Sequence, residues 1–153
     1  AAMAVNPLDL TSFIVQYKGK NNSVNKRNGT MVAGTISGTS ITLGSYVEFF
    51  PQNDTGARDH AIEFSPHSSG KFAYMYSEDV YNDAVVNTGS VSGTTITLDT
   101  ITEIHTESDH SASALAFMSG GKFVYVTKIG NQNNFTGSGN PLGSAHVGQM
   151  QTT

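Results

Sequence analysis

Short apolar segments, each about as long as a β-strand, recur along the chain and are separated by polar turns. The segment "GTISGTSITLGSYVEFF" at residues 34–50 returns as "GSVSGTTITLDTITEIH" at residues 89–105, with 8 of 17 positions identical. Gly38 and Gly93 lie in the Ser-Gly-Thr turns, where a two-residue hairpin loop requires positive φ. The alternation of apolar and Thr positions that follows predicts a half-buried strand in each copy.

A second, more apolar segment occurs three times, as "SFIVQYK" from Ser12, "KFAYMYS" from Lys71 and "KFVYVTK" from Lys122. The aligned Phe13, Phe72 and Phe123 are 59 and 51 residues apart, a period typical of propeller blades and other repeat arrays. Because the "KFAYMY" segment is apolar at both odd and even positions, both of its faces must be covered. A stack of small antiparallel sheets provides this cover, since each sheet lies between its neighbours.

Each of these segments follows a shorter one, "AMAVNP", "AIEFSP" or "ALAFMS", so the pattern predicts four strands per unit. The predicted fold is all-β, with antiparallel four-stranded repeat units stacked as propeller-like blades, about two and a half in number. The predicted β-repeat domain spans residues 1–128, with units at about 2–60 and 61–113 and a partial unit at 114–128. Residues 129–153, rich in Gly, Asn, Ser and Thr, are predicted to form a polar C-terminal tail.

An open array of this kind leaves an apolar face and unpaired strand edges at each end. Further repeats, identical copies or another protein could cover these ends, and we favour assembly with other chains. The sequence also starts at Ala1, inside the first unit and without an initiator Met, which favours either processing or a longer polypeptide.

Composition narrows the range of partners and activities. The formal net charge of -4 gives no general attraction to nucleic acid. No apolar run approaches the roughly 20 residues of a membrane span, so we expect no membrane insertion. The chain has no Cys, which excludes disulfides and Cys-ligated metals. It also lacks the Gly-x-Ser-x-Gly, His-Glu-x-x-His and P-loop motifs, so we predict no enzyme activity and no catalytic, cofactor or metal site.

A basic segment in the first unit is one candidate contact with a partner. It holds half of the 8 positively charged residues, namely Lys18, Lys20, Lys26 and Arg27. Such a patch on an acidic protein can bind an acidic neighbour or a sulfated or phosphorylated glycan. The alternative is a solvated hairpin loop, which we favour.

Acidic and histidine residues after the last strand of each unit form a second candidate contact, comprising Asp59, His60, Asp109 and His110. Their loops supply some oxygen ligands for a hard cation such as Ca²⁺, but they lack a dense Asp-x-Asp-x-Asp spacing. Solvated turns that keep the strand edges soluble are therefore the favoured interpretation. In the tail, Phe135, Pro141 and Leu142 are the few apolar anchors for a neighbouring chain.

Tyrosines recur in the apolar strand, at Tyr17, Tyr74, Tyr76 and Tyr125. Aromatic faces can stack on sugar rings, but positions aligned in a repeat core favour packing. The chain has no Trp and lacks the Ser-x-Asp-x-Gly-x-Thr-Trp box of sialidase-type propellers, which also favours packing.

The repeat "GTISGTSITLG", with Val47 and Phe49 after it and a strand such as "GKFVYVT" before it, resembles a known family of units. These are the tandem propeller-like units in predicted structural proteins of marine and freshwater tailed bacteriophages, and the resemblance covers about residues 2–128. It implies β-sheet blades, homo-oligomeric assembly and a place on the tail or head surface of a virion.

From the resemblance we expect a non-enzymatic structural component of a phage virion, either in the tail, as a fibre, or as a head-surface appendage. Its expected location is the extracellular particle, and its expected partners are other copies of itself and other virion proteins. The alternatives are a glycan-binding, lectin-like module that attaches to a host surface, and a subunit of an extracellular filament.

Overall fold

The computed structural model describes residues 1–21, 26–50, 57–78, 84–99, 102–103, 110–129 and 142–150, which form three antiparallel sheets. The first sheet contains β1 (Ala2–Val5), β2 (Ser12–Asn21), β3 (Lys26–Ser37), β4 (Ser40–Leu43) and β5 (Val47–Phe50). The second contains β6 (Ala57–Phe64), β7 (Lys71–Glu78), β8 (Ala84–Ser92), β9 (Thr95–Leu98) and β10 (Thr102–Glu103). The third contains β11 (His110–Phe117), β12 (Lys122–Ile129) and β13 (Leu142–Gln149), with a single 3₁₀ turn at Ser119–Gly121. The predicted all-β, antiparallel fold class is therefore confirmed.

The three sheets share the same strand register, so the repeat in the sequence is also a repeat in the strand pairing. In each sheet the aligned phenylalanine pairs with the last residue of the preceding short strand, as in Val5–Phe13, Phe64–Phe72 and Phe117–Phe123. On its other side the same phenylalanine pairs with a glycine of the following strand, Gly34, Gly89 or Gly148. The boundary predicted between residues 60 and 61 falls inside β6, which begins at Ala57.

The fourth strand of the repeat is broken in two. The sequence predicts one continuous strand after each Ser-Gly-Thr turn, whereas β4 and β5 are separate and both pair with β3. Likewise β9 and β10 both pair with β8. The break in the first sheet lies at Gly44, whose N–H donates to the Ala33 carbonyl 2.9 Å away.

The predicted polar tail contains a strand that the sequence pattern did not reveal. Residues 142–149 form β13, which pairs with β12 along the whole length of both strands. Gly148, Gln149 and Met150 take the register positions of Gly34, Thr35 and Ile36 in the first unit. Met150 is buried in the core between the second and third sheets. The expectation that the unit pattern ends at Lys128 is therefore corrected, because the third unit continues beyond an insertion.

Each aligned phenylalanine ring lies over the glycine opposite it. A Cβ placed on Gly34, Gly89 or Gly148 would lie 2.3 to 2.6 Å from the Cζ atom of the paired ring. Such distances are shorter than van der Waals contact, so only glycine leaves room for the ring at these positions.

Replacing Gly89 with alanine is expected to lower the free energy of unfolding by about 1–3 kcal/mol, since overpacking a tight site costs that much. The new methyl group would meet the Phe72 ring and also the backbone oxygen of Thr97, 2.8 Å away. Denaturant unfolding monitored by circular dichroism measures the change. In the double variant with Phe72→Leu, the combined loss should be smaller than the sum of the two single losses; strict additivity would contradict the proposed ring–glycine contact.

The two faces of each sheet differ in composition. We call the side that carries Phe13, Phe72 or Phe123 the phenylalanine face of its sheet. The opposite side, the alanine face, carries Ala2 and Ala4 in the first sheet, Ala61 in the second, and Ala114 and Ala116 in the third. These assignments follow from register, because cross-strand partners share a face and successive residues alternate.

The sheets stack with unlike faces in contact. The alanine face of the first sheet packs on the phenylalanine face of the second, where Ile14 and Met31 share a core with Phe72. Gln16 Nε2 also donates to the Met75 carbonyl oxygen across this contact, at 3.2 Å.

Strand β7 is covered on both faces, as its sequence predicts. Phe72, Tyr74 and Tyr76 pack towards the first sheet, and Ala73 and Met75 pack towards the third. A fully buried Phe or Met side chain contributes about 1.5–3 kcal/mol, so the stacking of sheets supplies much of the core.

Candidate functional site

The phenylalanine face of the first sheet is exposed and apolar. Its exposed side chains, with their exposed fractions, are Met3 (64%), Val5 (46%), Ile36 (42%), Ile41 (64%) and Leu43 (59%). Register places all of them on one side of the sheet with Phe13. Contiguous apolar surface of this kind marks an interaction site more often than scattered single residues do.

The same positions are covered in the second sheet. Ile96 is the counterpart of Ile41, since each follows a Ser-Gly-Thr turn and pairs with the residue directly before it, Val91 or Ile36. Ile96 is only 7% exposed, because the first sheet packs over it. Val91 and Leu98, the counterparts of Ile36 and Leu43, pack against the same core. The first sheet therefore repeats a surface that the fold elsewhere covers with another sheet.

The alanine face of the third sheet is the second uncovered surface. Ala114 and Ala116 on β11 are exposed, and Val124 and Val126 on β12 are half-buried. Val147 on β13 pairs with Val124 and is 67% exposed. The stack thus ends in two apolar faces of different composition, as the sequence predicts for an open array.

A crystal structure of Sqt1 from Chaetomium thermophilum is similar to this chain in backbone, with a TM-score of 0.54 and 11% sequence identity. The similarity covers 83% of this chain and 31% of the Sqt1 chain, so this chain spans about a third of that protein's length. At this identity the similarity concerns the fold alone. No family model matches the chain, and no curated protein is significantly similar to it.

The predicted basic contact lies at the hairpin between β2 and β3. Lys18 is half-buried on β2, and the backbone of Lys20 pairs with that of Arg27. Lys26 pairs with Asn21 at the end of the described part of this hairpin. The structure therefore brings the backbones of these residues together, while the side chains of Lys20, Lys26 and Arg27 lie outside the described part.

Asp59 and His60 lie in a bulge of β6 where two residues oppose Tyr76 alone. Asp59 has a φ of 47° and is exposed, whereas the His60 ring meets Phe49 edge-on, with centroids 6.1 Å apart. Burial lowers the pKa of His60 to about 4, and the positive charges of the amino terminus and Lys18 act in the same direction. His60 is therefore a neutral, partly buried side chain, unlike the solvated turn residue that the sequence predicts.

Stability is expected to fall as the pH is lowered from about 6.5 to about 4, since unfolded His60 gains a proton that the folded state excludes. Below that window both states are protonated and this contribution no longer changes. After allowance for solvent screening, the loss should be on the order of 1 kcal/mol. Denaturant midpoints across this pH range should differ between wild type and His60→Gln, whereas the exposed control His67→Gln should follow wild type; identical profiles for all three would contradict the assignment.

Several other predicted contacts lie outside the described residues, namely Asp109, Phe135 and Pro141. The backbones of His110 and Leu142 are described: each pairs with Ile129, at the start of β11 and β13. The structure thus places these two residues at the same end of the third sheet.

The tyrosines pack as the sequence favours, since Tyr74, Tyr76 and Tyr125 are buried. The Tyr74 hydroxyl accepts a hydrogen bond from Asn87 Nδ2 at 3.2 Å, and burial raises its pKa to about 12.

Glu63 is half-buried on the alanine face of the second sheet. Burial raises the pKa of its carboxyl group, and the hydrogen bond from the Phe117 N–H lowers it.

Neither a metal cluster nor a membrane-spanning helix occurs in the described residues. No group of three or more His, Asp or Glu side chains there is arranged to hold a metal ion. Within that same part of the chain, no helix has the length and apolar character needed to cross a bilayer.

A cleft of about 460 Å³ lies between the first two sheets. It is lined by residues 43–45, 47 and 94–96, and none of these residues is titratable or aromatic.

The sequence-based selection of contact residues missed the exposed apolar faces themselves. Ile41, Leu43 and Val147 were available as candidates, because the sequence already predicted an uncovered face at each end of the array. The sequence signal that could have identified them is the alignment of Ile41 with Ile96. In a stack of repeats, a residue of the end unit lacks the neighbouring sheet that buries its counterpart in an inner unit.

Proposed function

We propose that this chain is a non-enzymatic structural component of a phage virion, which assembles with other chains through the ends of its sheet stack. The observation that carries the proposal is the uncovered phenylalanine face of the first sheet, where Ile41 is 64% exposed and its counterpart Ile96 is 7% exposed. A repeat protein with an uncovered end face gains stability when a matching surface covers it.

The energetics favour assembly in arrays over a single tight contact. Burying the five apolar side chains of this face would contribute on the order of 5 kcal/mol, since each is already about half-buried in the single chain. Loss of translational and rotational freedom on association costs about 4–15 kcal/mol, which is of similar size. One contact therefore gives modest affinity, and repeated contacts in a large particle supply the rest.

The virion setting is supported by the resemblance of the repeat to units of phage structural proteins. The alternative of a glycan-binding module gains nothing from Tyr74, Tyr76 and Tyr125, since buried rings offer no stacking platform. The uncovered apolar surfaces favour protein partners instead, because apolar side chains and few charges are typical of the centre of a protein interface.

Two measurements test the proposal. Sedimentation velocity over a concentration series should show a mass that rises above that of the monomer. Gold-labelled antibodies against this chain should bind the outside of phage particles whose genome encodes it, and particles treated with pre-immune serum serve as the control. A chain that stays monomeric and is absent from the particles would overturn the proposed role.

A further inference from the structure

The two uncovered faces of the stack are complementary to each other. We propose that the phenylalanine face of the first sheet binds the alanine face of the third sheet in a second copy of this chain. This head-to-tail contact rests on the proposed function and specifies the partner and the mode of assembly. The contact would repeat, between copies, the arrangement that joins the sheets within one copy.

The internal contacts supply the template. Twice within the chain, an alanine face lies against a phenylalanine face: the first sheet on the second, and the second sheet on the third. The first strands of the sheets also meet, since β1 contacts β6 and β6 contacts β11. Small side chains on these strands, such as Ala2, Ala4 and Ala61, allow that close approach and pack against the cores.

The uncovered alanine face resembles that of the first sheet on its first strand and at the nearest position of its middle strand. Ala114 and Ala116 on β11 align with Ala2 and Ala4 on β1, and all four point to the alanine side of their sheets. On the middle strand, Val124 takes the position of Ile14, which is fully buried against the second sheet. The third sheet thus offers a first strand of small residues and a middle strand with the apolar Val124, as in the first sheet, which covers a phenylalanine face within the chain.

Charge supports the same pairing. Glu48 pairs with Thr30 and lies on the phenylalanine face of the first sheet, where it is exposed. Lys128 lies on the alanine face of the third sheet, at the register position that Lys18 occupies in the first. Opposite charges on the two faces favour their encounter, and two copies of either face would bring like charges together.

A contact between two different faces has a consequence for symmetry. A pair of copies joined by one such contact still has one free face of each kind, so head-to-tail contacts continue until they close a ring or extend as a filament. A two-fold dimer would instead join identical faces, a pairing that neither internal contact uses.

Lysine substitutions at the most exposed position of each face test this pairing. Ile41→Lys blocks the phenylalanine face and Val147→Lys blocks the alanine face, at residues that are 64% and 67% exposed, so the fold should be retained. Each variant alone should associate more weakly than wild type by about tenfold or more, because a lysine in the contact is left unpaired. Leu8→Lys, at an exposed residue in the turn between β1 and β2 and outside the strands that form either face, is the matched control and should assemble like wild type.

Mixing the two variants gives the decisive result. One variant keeps its alanine face and the other keeps its phenylalanine face, so an equimolar mixture should form a one-to-one dimer that grows no further. Sedimentation and light scattering measure this mass, and circular dichroism confirms that each variant is folded.

Three outcomes would overturn the head-to-tail contact: a mixture that stays monomeric at concentrations where wild type forms dimers and larger species, a Val147→Lys variant that dimerises by itself, or wild type that does not self-associate. In the last case, gold labelling of the phage particle would still support the proposed structural role, with a different protein on the uncovered face. The two proposals therefore fail separately.

Discussion

Replacing Phe72 with alanine is expected to lower the free energy of unfolding by about 3–5 kcal/mol, the usual cost of removing a buried aromatic ring. Phe72 is fully buried and its ring lies 6.1 Å from that of Phe64 and 6.0 Å from that of Tyr74, between centroids. Because Gly89 opposite it has no side chain to fill the space, the cavity cannot readily collapse. Denaturant unfolding with circular dichroism, analysed as a two-state transition, measures the loss.

Tyr46→Ala is the matched control for this loss. It also removes an aromatic ring, but from a side chain that is 67% exposed, so the change should stay within about 0.5 kcal/mol. Equal losses in Phe72→Ala and Tyr46→Ala would show that Phe72 does not lie between two packed sheets.

The fold could be predicted from the sequence wherever the repeat kept its spacing. The "KFAYMY" segment is apolar on both faces, and the physical need to cover both faces predicted neighbours on each side of β7. Its odd and even positions do pack against different sheets. Strand periodicity and the cost of exposing apolar surface suffice for this prediction, because both can be judged from a short stretch of sequence.

Strand β13 could not be predicted in the same way, because its pattern is weak. Only Val147 and Met150 are large apolar residues near its end, and Gly, Ser, His and Gln fill much of the rest. An insertion also separates β12 from β13, so the spacing between Phe123 and Gly148 differs from that between Phe72 and Gly89. Pairing with β12 and the fit of the Phe123 ring over Gly148 determine this strand, and both are tertiary effects.

The break between β4 and β5 has a related cause. Apolar residues occupy alternate positions on both sides of Ser45, so periodicity alone predicts one strand. Gly44 approaches the backbone of Thr94 so closely that no side chain fits there. The backbone contact between two sheets interrupts the strand, and a single unit considered alone contains no sign of it.

The candidate site was predicted in principle but not in its residues. An incomplete array must end in uncovered faces, and exposed apolar side chains do lie on both end faces. The residues chosen were charged loop residues such as Asp59 and His60, because polar loops commonly carry function. The exposed apolar residues were passed over because their repeat counterparts look like core, and they differ from core only in lacking a neighbouring sheet.

The clearest test of that difference compares one residue type at two equivalent positions. Ile96→Ala is expected to lower the free energy of unfolding by about 2–5 kcal/mol, as for other buried Ile-to-Ala changes. Ile41→Ala should change it by no more than about 0.5 kcal/mol, because that side chain is already in water. Both should be measured with Val147→Lys present, so that association of copies does not cover Ile41.

Ile41 and Ile96 share their turn, their strand register and most of their local sequence, so strand propensity and turn formation cancel in the comparison. The difference that remains measures the cover given by a neighbouring sheet. In the wild-type background, Ile41→Ala should instead weaken self-association while leaving the unfolding of the isolated chain nearly unchanged. If both alanine variants lost equal stability with Val147→Lys present, the first sheet would have no uncovered phenylalanine face, and nothing would then be left for a second copy to bind.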